Sequence, residues 1–280
     1  MLNILTFDIE DWYHANYDTI HIPPEHLKEE RVTQPTDKIL DLLRITKNKA
    51  TFFVLGQIAE SHPELVRKIA DQGHEIASHG YDHQLVYEKG PEAFHDDIQR
   101  SKKLLERICG RSIIGYRAPS WSLCRHRTPW AWPILKQAGF KYDSSIFPFK
   151  TCLYGDNRIS PDIHKIHFQN DALYEIPPSI ITLNRLRIPF AGGFYFRLFS
   201  YPVVRYGIRR LNLQNKRAVL YLHPREIDVA QPRLTLKKKE AFIHYINIDK
   251  TEHKLRRVLN DFQFNGIGHI LFASDATATI

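Results

Sequence analysis

A (β/α) barrel built on a parallel sheet is the fold class this chain predicts, on two observations. Short apolar runs, about eight of them, alternate with segments of helical periodicity, the pattern of a parallel sheet covered by helices. Polar residues then gather where those runs stop: Asp8, His79, Arg117, Asp143 and His223. In a parallel barrel these strand ends share one face, and such folds build their sites there.

Taken in order, residues 2–7 form an apolar run that reads as a buried first strand. It opens into Asp8-Ile9-Glu10-Asp11, followed by Trp12, Tyr13 and His14. Three carboxylates at one strand mouth repel each other unless a cation or an arginine joins them. Residues 15–35, with Pro23, Pro24 and Pro35, read as a loop, and Thr36 as the cap of a helix with Ile39, Leu40 and Leu43 inward. A second strand over 50–55 closes at Gly56, and a helix around 63–72 stops at Gly73. The third strand ends at Ser78. Pro91 opens a helix facing the core with Phe94, Ile98, Leu105 and Ile108, and Gly110 follows its end.

A fourth strand over 113–116 ends at Arg117. After a helix near 129–137, a fifth spans 141–147 with Asp143 inside it. Residues 148–170 read as irregular, and 173–176 as a short strand. Gly192-Gly193 hinges an aromatic loop carrying Phe194 and Tyr195. The segment 198–213 is amphipathic and carries Arg205, Arg209 and Arg210; a solvated basic face is favoured there over a peripheral membrane contact. A strand over 218–222 ends at His223, three lysines at 237–239 mark a helix start, and a last helix (Leu255, Val258, Leu259, Phe262) precedes a strand over 269–272.

Composition narrows the class. The chain has 280 residues, 43% hydrophobic and 25% charged, which suits one large barrel or two modest domains. A net charge of +8 is tolerant of anionic surfaces, but a basic solvated surface accounts for it, and nucleic acid is not expected as a partner. Three cysteines, Cys109, Cys124 and Cys152, have no metal-ligand spacing and cannot form a paired framework, so reduced thiols are expected. The first residues meet acid at Asp8 without a basic leader, and no run reaches the roughly 18 apolar residues of a membrane span. A cytoplasmic location, at most at the inner face of a membrane, is the expectation.

The sharpest chemical signal lies in residues 74–83, where His79 and His83 stand four apart just after a strand. A helical turn there aims both imidazoles at one point, and converging neutral imidazoles suit a zinc-type ion. The spacing alone arises about once by chance in a chain this rich in histidine; its place at a strand end gives it weight.

Four motifs now align. Thr-Phe-Asp-Ile-Glu-Asp, Ser-His-Gly-Tyr-Asp-His, Tyr-Arg-Ala-Pro-Ser-Trp and Leu-Tyr-Leu-His-Pro occur in that order. Together they resemble the polysaccharide deacetylases of the NodB-homology group, carbohydrate esterase family 4. Tyr-Asp-Ser-Ser, Glu-Ile-Pro-Pro-Ser and His-Pro-Arg-Glu-Ile-Asp are similar to the branch found with exopolysaccharide gene clusters and exosortase systems.

The resemblance implies a distorted (β/α) barrel of seven or eight parallel strands. It also implies one domain over 1–280, with the catalytic motifs within 6–224 and a helix and strand over 250–274. A divalent metal, usually zinc, is implied on His79, His83 and a first-motif carboxylate. Asp8 matches the catalytic base, Arg117 the residue that orients it, His223 the general acid, and Asp143 the carboxylate that tunes that acid. The first motif departs from the usual adjacent aspartates. Glu10 is the favoured ligand, because alternation returns it to the side of Asp8, with Asp11 the alternative if the chain bends tightly. The implied activity removes N-acetyl groups from amino sugars of an exopolysaccharide or a lipid-linked precursor, with Trp12, Tyr13, Trp121 and Phe194 as sugar-binding faces. An allantoinase-like hydrolase of a small ureide and a non-catalytic glycan-binding barrel are the alternatives.

Overall fold

The computed structural model describes residues 1–16, 29–151, 154–184 and 186–276. Its organising strand is β1 (Leu2–Ile9), buried from Asn3 onward. Strand alternation sends Leu5 and Phe7 outward into the core beneath the helices. Ile4, Thr6 and Asp8 therefore face the other way. Ile4 joins an inner cluster, while Thr6 and Asp8 both meet Arg117. One strand thus carries both the packing that anchors it and the first site residue.

The neighbours are all parallel. On one side of β1 lie β2 (Thr51–Val54), β3 (Glu75–Ser78), β4 (Gly115–Tyr116) and β5 (Tyr142–Asp143), in that order. Next to β5 comes β7 (Asp171–Glu175), and on the far side of β1 lies β10 (Val219–Leu222). These seven strands form the parallel path, with β6 (His164–Phe168) antiparallel on the edge beyond β7. The sheet curls without a ladder between β10 and β7. Ser179 bridges at that gap, donating its N–H to Val219 O at 3.0 Å and accepting Val219 N–H on Oγ at 2.8 Å.

Helices Thr33–Ile45, Pro63–Asp71, Pro91–Cys109 and Ile248–Asp261 cover the outside with the apolar faces read from periodicity. Phe52, Leu43, Val66, Phe94 and Leu255 are all fully buried, and each such side chain contributes about 1.5–3 kcal/mol. Both halves of the chain supply strands to the one sheet.

Several expectations change. Residues 269–272 belong to helix Ile267–Ala276, and the strand there is β11 (Gln263–Asn265), parallel to the start of β1. A short apolar run cannot by periodicity choose between strand and buried helix. Here Ile267 plugs the inner cluster of Ile4, Phe53, Ala77 and Tyr142, with Ile270, Leu271 and Phe272 packed against it. The helix's first N–H groups are satisfied from the barrel wall: Ile267 N donates to Thr51 Oγ1 and Gly268 N to Glu75 Oε2, both at 2.8 Å. Thr36 lies inside its helix, its hydroxyl donating to Val32 O at 2.6 Å, and does not cap it.

The fifth strand is only two residues long, because Ser144 and Ser145 leave the ladder to bond Arg117 and Ala118. The segment read as irregular contains β6, and a hairpin of β8 (Ile180–Leu183) and β9 (Leu186–Pro189) carried no clear sequence signal. The amphipathic stretch 198–213 is helical over Tyr201–Leu213, while the aromatic segment expected as a loop is a separate helix, Gly193–Leu198, with Phe199 and Ser200 between them in extended backbone. Within the loop expected over 15–35, residues 17–28 lie outside the described residues, as does Cys152. Cys109 and Cys124 are free. No helix among the described residues is long and apolar enough to cross a membrane.

Candidate active site

The register of the parallel strands sets the site. Phe7 pairs Leu222, Val54 pairs Ser78, and Ser78 pairs Tyr116. Asp8, His79, Arg117 and His223 consequently leave their strands on one face.

Arg117 is the buried anchor. Its Nη1 donates to Asp8 Oδ1 at 2.6 Å and to Thr6 Oγ1 at 2.9 Å. Nε donates to Ser144 O at 3.0 Å and Nη2 to Ser144 Oγ at 2.7 Å. The guanidinium also lies 4.1 Å from the Phe53 ring centroid and 4.9 Å from that of Trp121. Four hydrogen bonds and two ring faces fix both the arginine and one oxygen of Asp8.

Glu10 turns back toward Asp8 through a three-residue turn, its N–H donating to Asp8 O at 3.1 Å. Its Oε1 lies 3.1 Å from His79 Nε2 and 3.3 Å from His83 Nε2. His79 Nδ1 is 2.8 Å from Arg117 O. A carbonyl only accepts, so Nδ1 carries the hydrogen and Nε2 presents its lone pair to the carboxylate. Lone pairs of an imidazole and a carboxylate face each other stably only with a proton or a metal cation between them. Glu10, His79 and His83 therefore fit a divalent ion, and Asp8, Glu10 and His223 form an overlapping group. Burial pushes the Glu10 carboxyl up, but His83, His223 and His79 outweigh it and hold the group well below the usual carboxylate range.

The two histidines are not on a helix. Gly80 (φ +76°) and His83 (φ 59°) turn the loop back through the left-handed region, which is where the geometry for convergence comes from. Ser120 (φ 50°) and Trp121 (φ 55°) at the opposite wall share that conformation. Strained non-glycine residues of this kind cluster at functional sites.

His223 follows β10 with Nε2 3.7 Å from Asp8 Oδ2 and 3.6 Å from Glu10 Oε1. Behind it, Nδ1 lies 3.5 Å from Glu226 Oε2. Burial disfavours its charged form, yet Glu10 and Glu226 raise its pKa above the ordinary histidine value. A cleft of about 260 Å³ opens over Asp8, Glu10, His83 and His223, walled by Trp121 and Phe194.

Two expectations are corrected here. Asp143 does not face His223. Its carboxylate accepts Trp132 Nε1–H at 3.1 Å and the Ser145 hydroxyl, and it shares its burial with Glu175, which burial and Asp143 together push well up. The chain leaves β5 immediately after Asp143, so its side chain stays in the wall while Glu226 occupies the position behind the imidazole. Asp11 does not join the cation group. It accepts Trp12 N–H and Arg31 N–H at 2.7 Å and Val32 N–H at 3.2 Å, clipping the end of β1 to the start of helix Thr33–Ile45.

The aromatic expectations divide as well. Trp12 is 1% exposed and donates Nε1–H to Glu29 O at 2.8 Å, so it is a core residue. Tyr13 lines a shallow groove beside His14, whereas Trp121 and Phe194 line the cleft itself.

Sequence reasoning passed over Glu226, Arg197, Ser144 and His14. Glu226 carried a legible signal, an acid three residues after a strand-end histidine. His14 lines the cleft with Nδ1 accepting Asp11 N–H at 3.0 Å; burial, aided by His83, brings its pKa down to about 4 and keeps it neutral.

Comparison with known proteins agrees with this geometry. Residues 4–142 match the polysaccharide deacetylase family, and residues 144–271 match a domain of unknown function. A peptidoglycan-N-acetylglucosamine deacetylase of Bacillus cereus is 34% identical over 96 residues, 34% of this chain and 35% of the relative. A chitooligosaccharide deacetylase of Azorhizobium caulinodans is 34% identical over 90 residues, 31% of this chain and 43% of the relative. The chain thus spans well under half the length of these relatives.

Among solved structures, one described as a polysaccharide deacetylase from Mycobacterium smegmatis superposes with a TM-score of 0.64 at 22% identity, covering 99% of this chain and 91% of that one. An allantoinase superposes with a TM-score of 0.63 at 15% identity, covering 99% and 90%. These two likenesses establish the fold, a curled and mostly parallel α/β half-barrel. The match to the polysaccharide deacetylase family spans residues 4–142, which hold Asp8, Glu10, His79, His83 and Arg117.

Proposed function

We propose that this protein is a metal-dependent hydrolase that removes N-acetyl groups from the amino sugars of an exopolysaccharide or its lipid-linked precursor. The observation that carries the reading is the convergence of His79, His83 and His223 on Glu10 Oε1, with Asp8 beside His223. Glu10, His79 and His83 would hold the ion, and the donor set of two imidazoles and a carboxylate suits zinc. When bound, the ion polarises an amide carbonyl and acidifies a water.

The remaining work falls to the chain. Asp8, oriented by Arg117, takes a proton from the attacking water as its oxygen adds to the acetamide carbon. His223 Nε2 gives a proton to the departing nitrogen as the C–N bond breaks, leaving acetate and a free amine. Trp121 and Phe194 offer apolar walls of the kind that suit pyranose faces. A glycan-binding barrel needs no such acid and base pair.

The test is acetate release by the zinc-loaded protein from N-acetylglucosamine oligomers and from host polysaccharide, read by mass spectrometry of the sugar. Loss of acetyl from either supports the reading. Glycan binding without acetate release, or hydrolysis of allantoin in its place, overturns it.

A further inference from the structure

The proton-donor role of His223, on which this inference rests, requires its ring to present Nε2 to the cleft and keep a hydrogen on Nδ1. We propose that Glu226, clamped by Arg197, is the positioning residue that holds His223 in that orientation and tautomer. The 3₁₀ turn Pro224–Ile227 brings Glu226 back under the histidine, with Glu226 N–H donating to His223 O at 3.0 Å and His223 N–H to Glu226 Oε2 at 3.1 Å. The same Oε2 lies 3.5 Å from His223 Nδ1, which is buried and makes no hydrogen bond among the described residues, so Glu226 stands beside it as a neighbouring anion.

The other oxygen is fully committed. Glu226 Oε1 accepts Arg197 Nε–H at 2.9 Å. Arg197 Nη1 donates to His244 O at 2.9 Å and Ile246 O at 3.1 Å, and Nη2 to Ile243 O at 2.9 Å. These carbonyls lie at the C-terminal end of helix Lys238–Tyr245, the end that favours a cation. Glu226 is 0% and Arg197 1% exposed. A buried ion pair is a costly way to brace a turn, since apolar side chains of similar volume serve as well or better. What this pair adds is an anion aimed at Nδ1.

Arg197 itself reaches its place through Gly192, where a Cβ would stand 2.1 Å from Tyr221 O. The glycine lets helix Gly193–Leu198 lie directly on β10, bringing Arg197 and Phe194 to the two sides of the site.

Glu226→Gln makes the idea sharp. Arg197 Nε–H and His223 N–H both need an acceptor, and the charged guanidinium takes the single amide oxygen, so the amide NH₂ faces His223 at the loss of that backbone bond. A donor facing Nδ1 forces the hydrogen onto Nε2, the opposite tautomer. The analogous carboxylate-to-amide change in a serine protease triad keeps the geometry and lowers turnover about 10⁴-fold.

The experiment uses the zinc-loaded full chain labelled with ¹⁵N-histidine, His223 being assigned by its loss in His223→Ala. Wild type and Arg197→Lys, which keeps the anion, should show the Nδ1–H form at neutral pH once the ring is uncharged. Glu226→Gln should show the Nε2–H form, with kcat down about 10²–10⁴-fold while KM and zinc content stay within about twofold. An unchanged tautomer in Glu226→Gln, or kcat within about threefold of wild type, overturns the proposal. If Glu226→Gln does not fold, the double variant Arg197→Met/Glu226→Leu replaces it, and retention of the Nδ1–H form there is equally fatal. A wild type without deacetylase activity defeats the functional reading, yet the tautomer comparison still decides what Glu226 does.

Discussion

Arg117→Met tests whether one buried guanidinium both braces the barrel mouth and compensates the Asp8 carboxylate it bonds. Methionine fills much of the volume but returns none of the four hydrogen bonds to Asp8, Thr6 and Ser144. Asp8 is 3% exposed, and its nearest other cationic partner, His223 Nε2, is 3.7 Å away. Removing one member of a buried pair costs about 3–5 kcal/mol, because the other charge is left uncompensated. At about 2–4 °C per kcal/mol for a chain of this order, the melting temperature should fall by about 6–20 °C.

Part of that loss belongs to the orphaned carboxylate and is recoverable. In an Asp8→Asn background, Arg117→Met should cost about 1.5–3 kcal/mol less than it does in the wild type. Urea unfolding of the four proteins, all with saturating zinc, measures the cycle. Equal cost in both backgrounds would refute the argument and leave Arg117 as a brace for Ser144 and Thr6 alone.

Three further outcomes follow from the site. His79→Ala, His83→Ala and Glu10→Ala should each strip bound zinc, whereas Asp11→Ala should keep it and lose about 1–3 kcal/mol through its unpaired N–H donors; elemental analysis and unfolding curves separate the two. Asp8→Asn and His223→Ala should fold, retain zinc and lose about 10²–10⁴ in turnover. If His223 is the proton donor proposed above, the wild-type rate should fall as pH rises through its pKa, which Glu10 and Glu226 lift above the ordinary histidine value despite burial, and that limb should vanish in His223→Ala. Burial and Asp143 raise Glu175 well above the ordinary glutamate value, so its contribution to stability is complete below that ordinary value and is lost as pH rises through the folded one. Glu175→Gln should remove this alkaline decline, and unfolding free energies from pH 5 to pH 9 would expose a slope that persists.

Much of the site was legible without coordinates because a parallel sheet converts sequence order into spatial order. An apolar run followed by a polar residue marks a strand end, and every strand in such a sheet ends on the same face. Asp8, His79, Arg117 and His223 meet for that reason. Helix faces were equally readable, since Phe94, Ile98 and Leu105 repeat at the period of a buried stripe and are all fully buried.

Local periodicity is enough to say which strands deliver chemistry, whereas contacts between distant segments set which neighbouring group takes each role. Glu10 and Asp11 are adjacent acids with similar intrinsic chemistry. The choice between them rests on a turn at Asp8 and on the N–H groups of Arg31 and Val32, twenty residues downstream. Asp143 and Glu226 both follow the motif logic of a carboxylate near a strand end. Only the short length of β5 and the return of the Pro224–Ile227 turn place Glu226 behind His223. The C-terminal apolar run became a helix because the inner mouth of the barrel needed a plug, with Thr51 and Glu75 waiting to accept its first N–H groups. Strand ends follow from local periodicity, but hydrogen-bond partners are long-range, and a one-dimensional pattern holds no record of which distant donor reaches a buried carboxylate first.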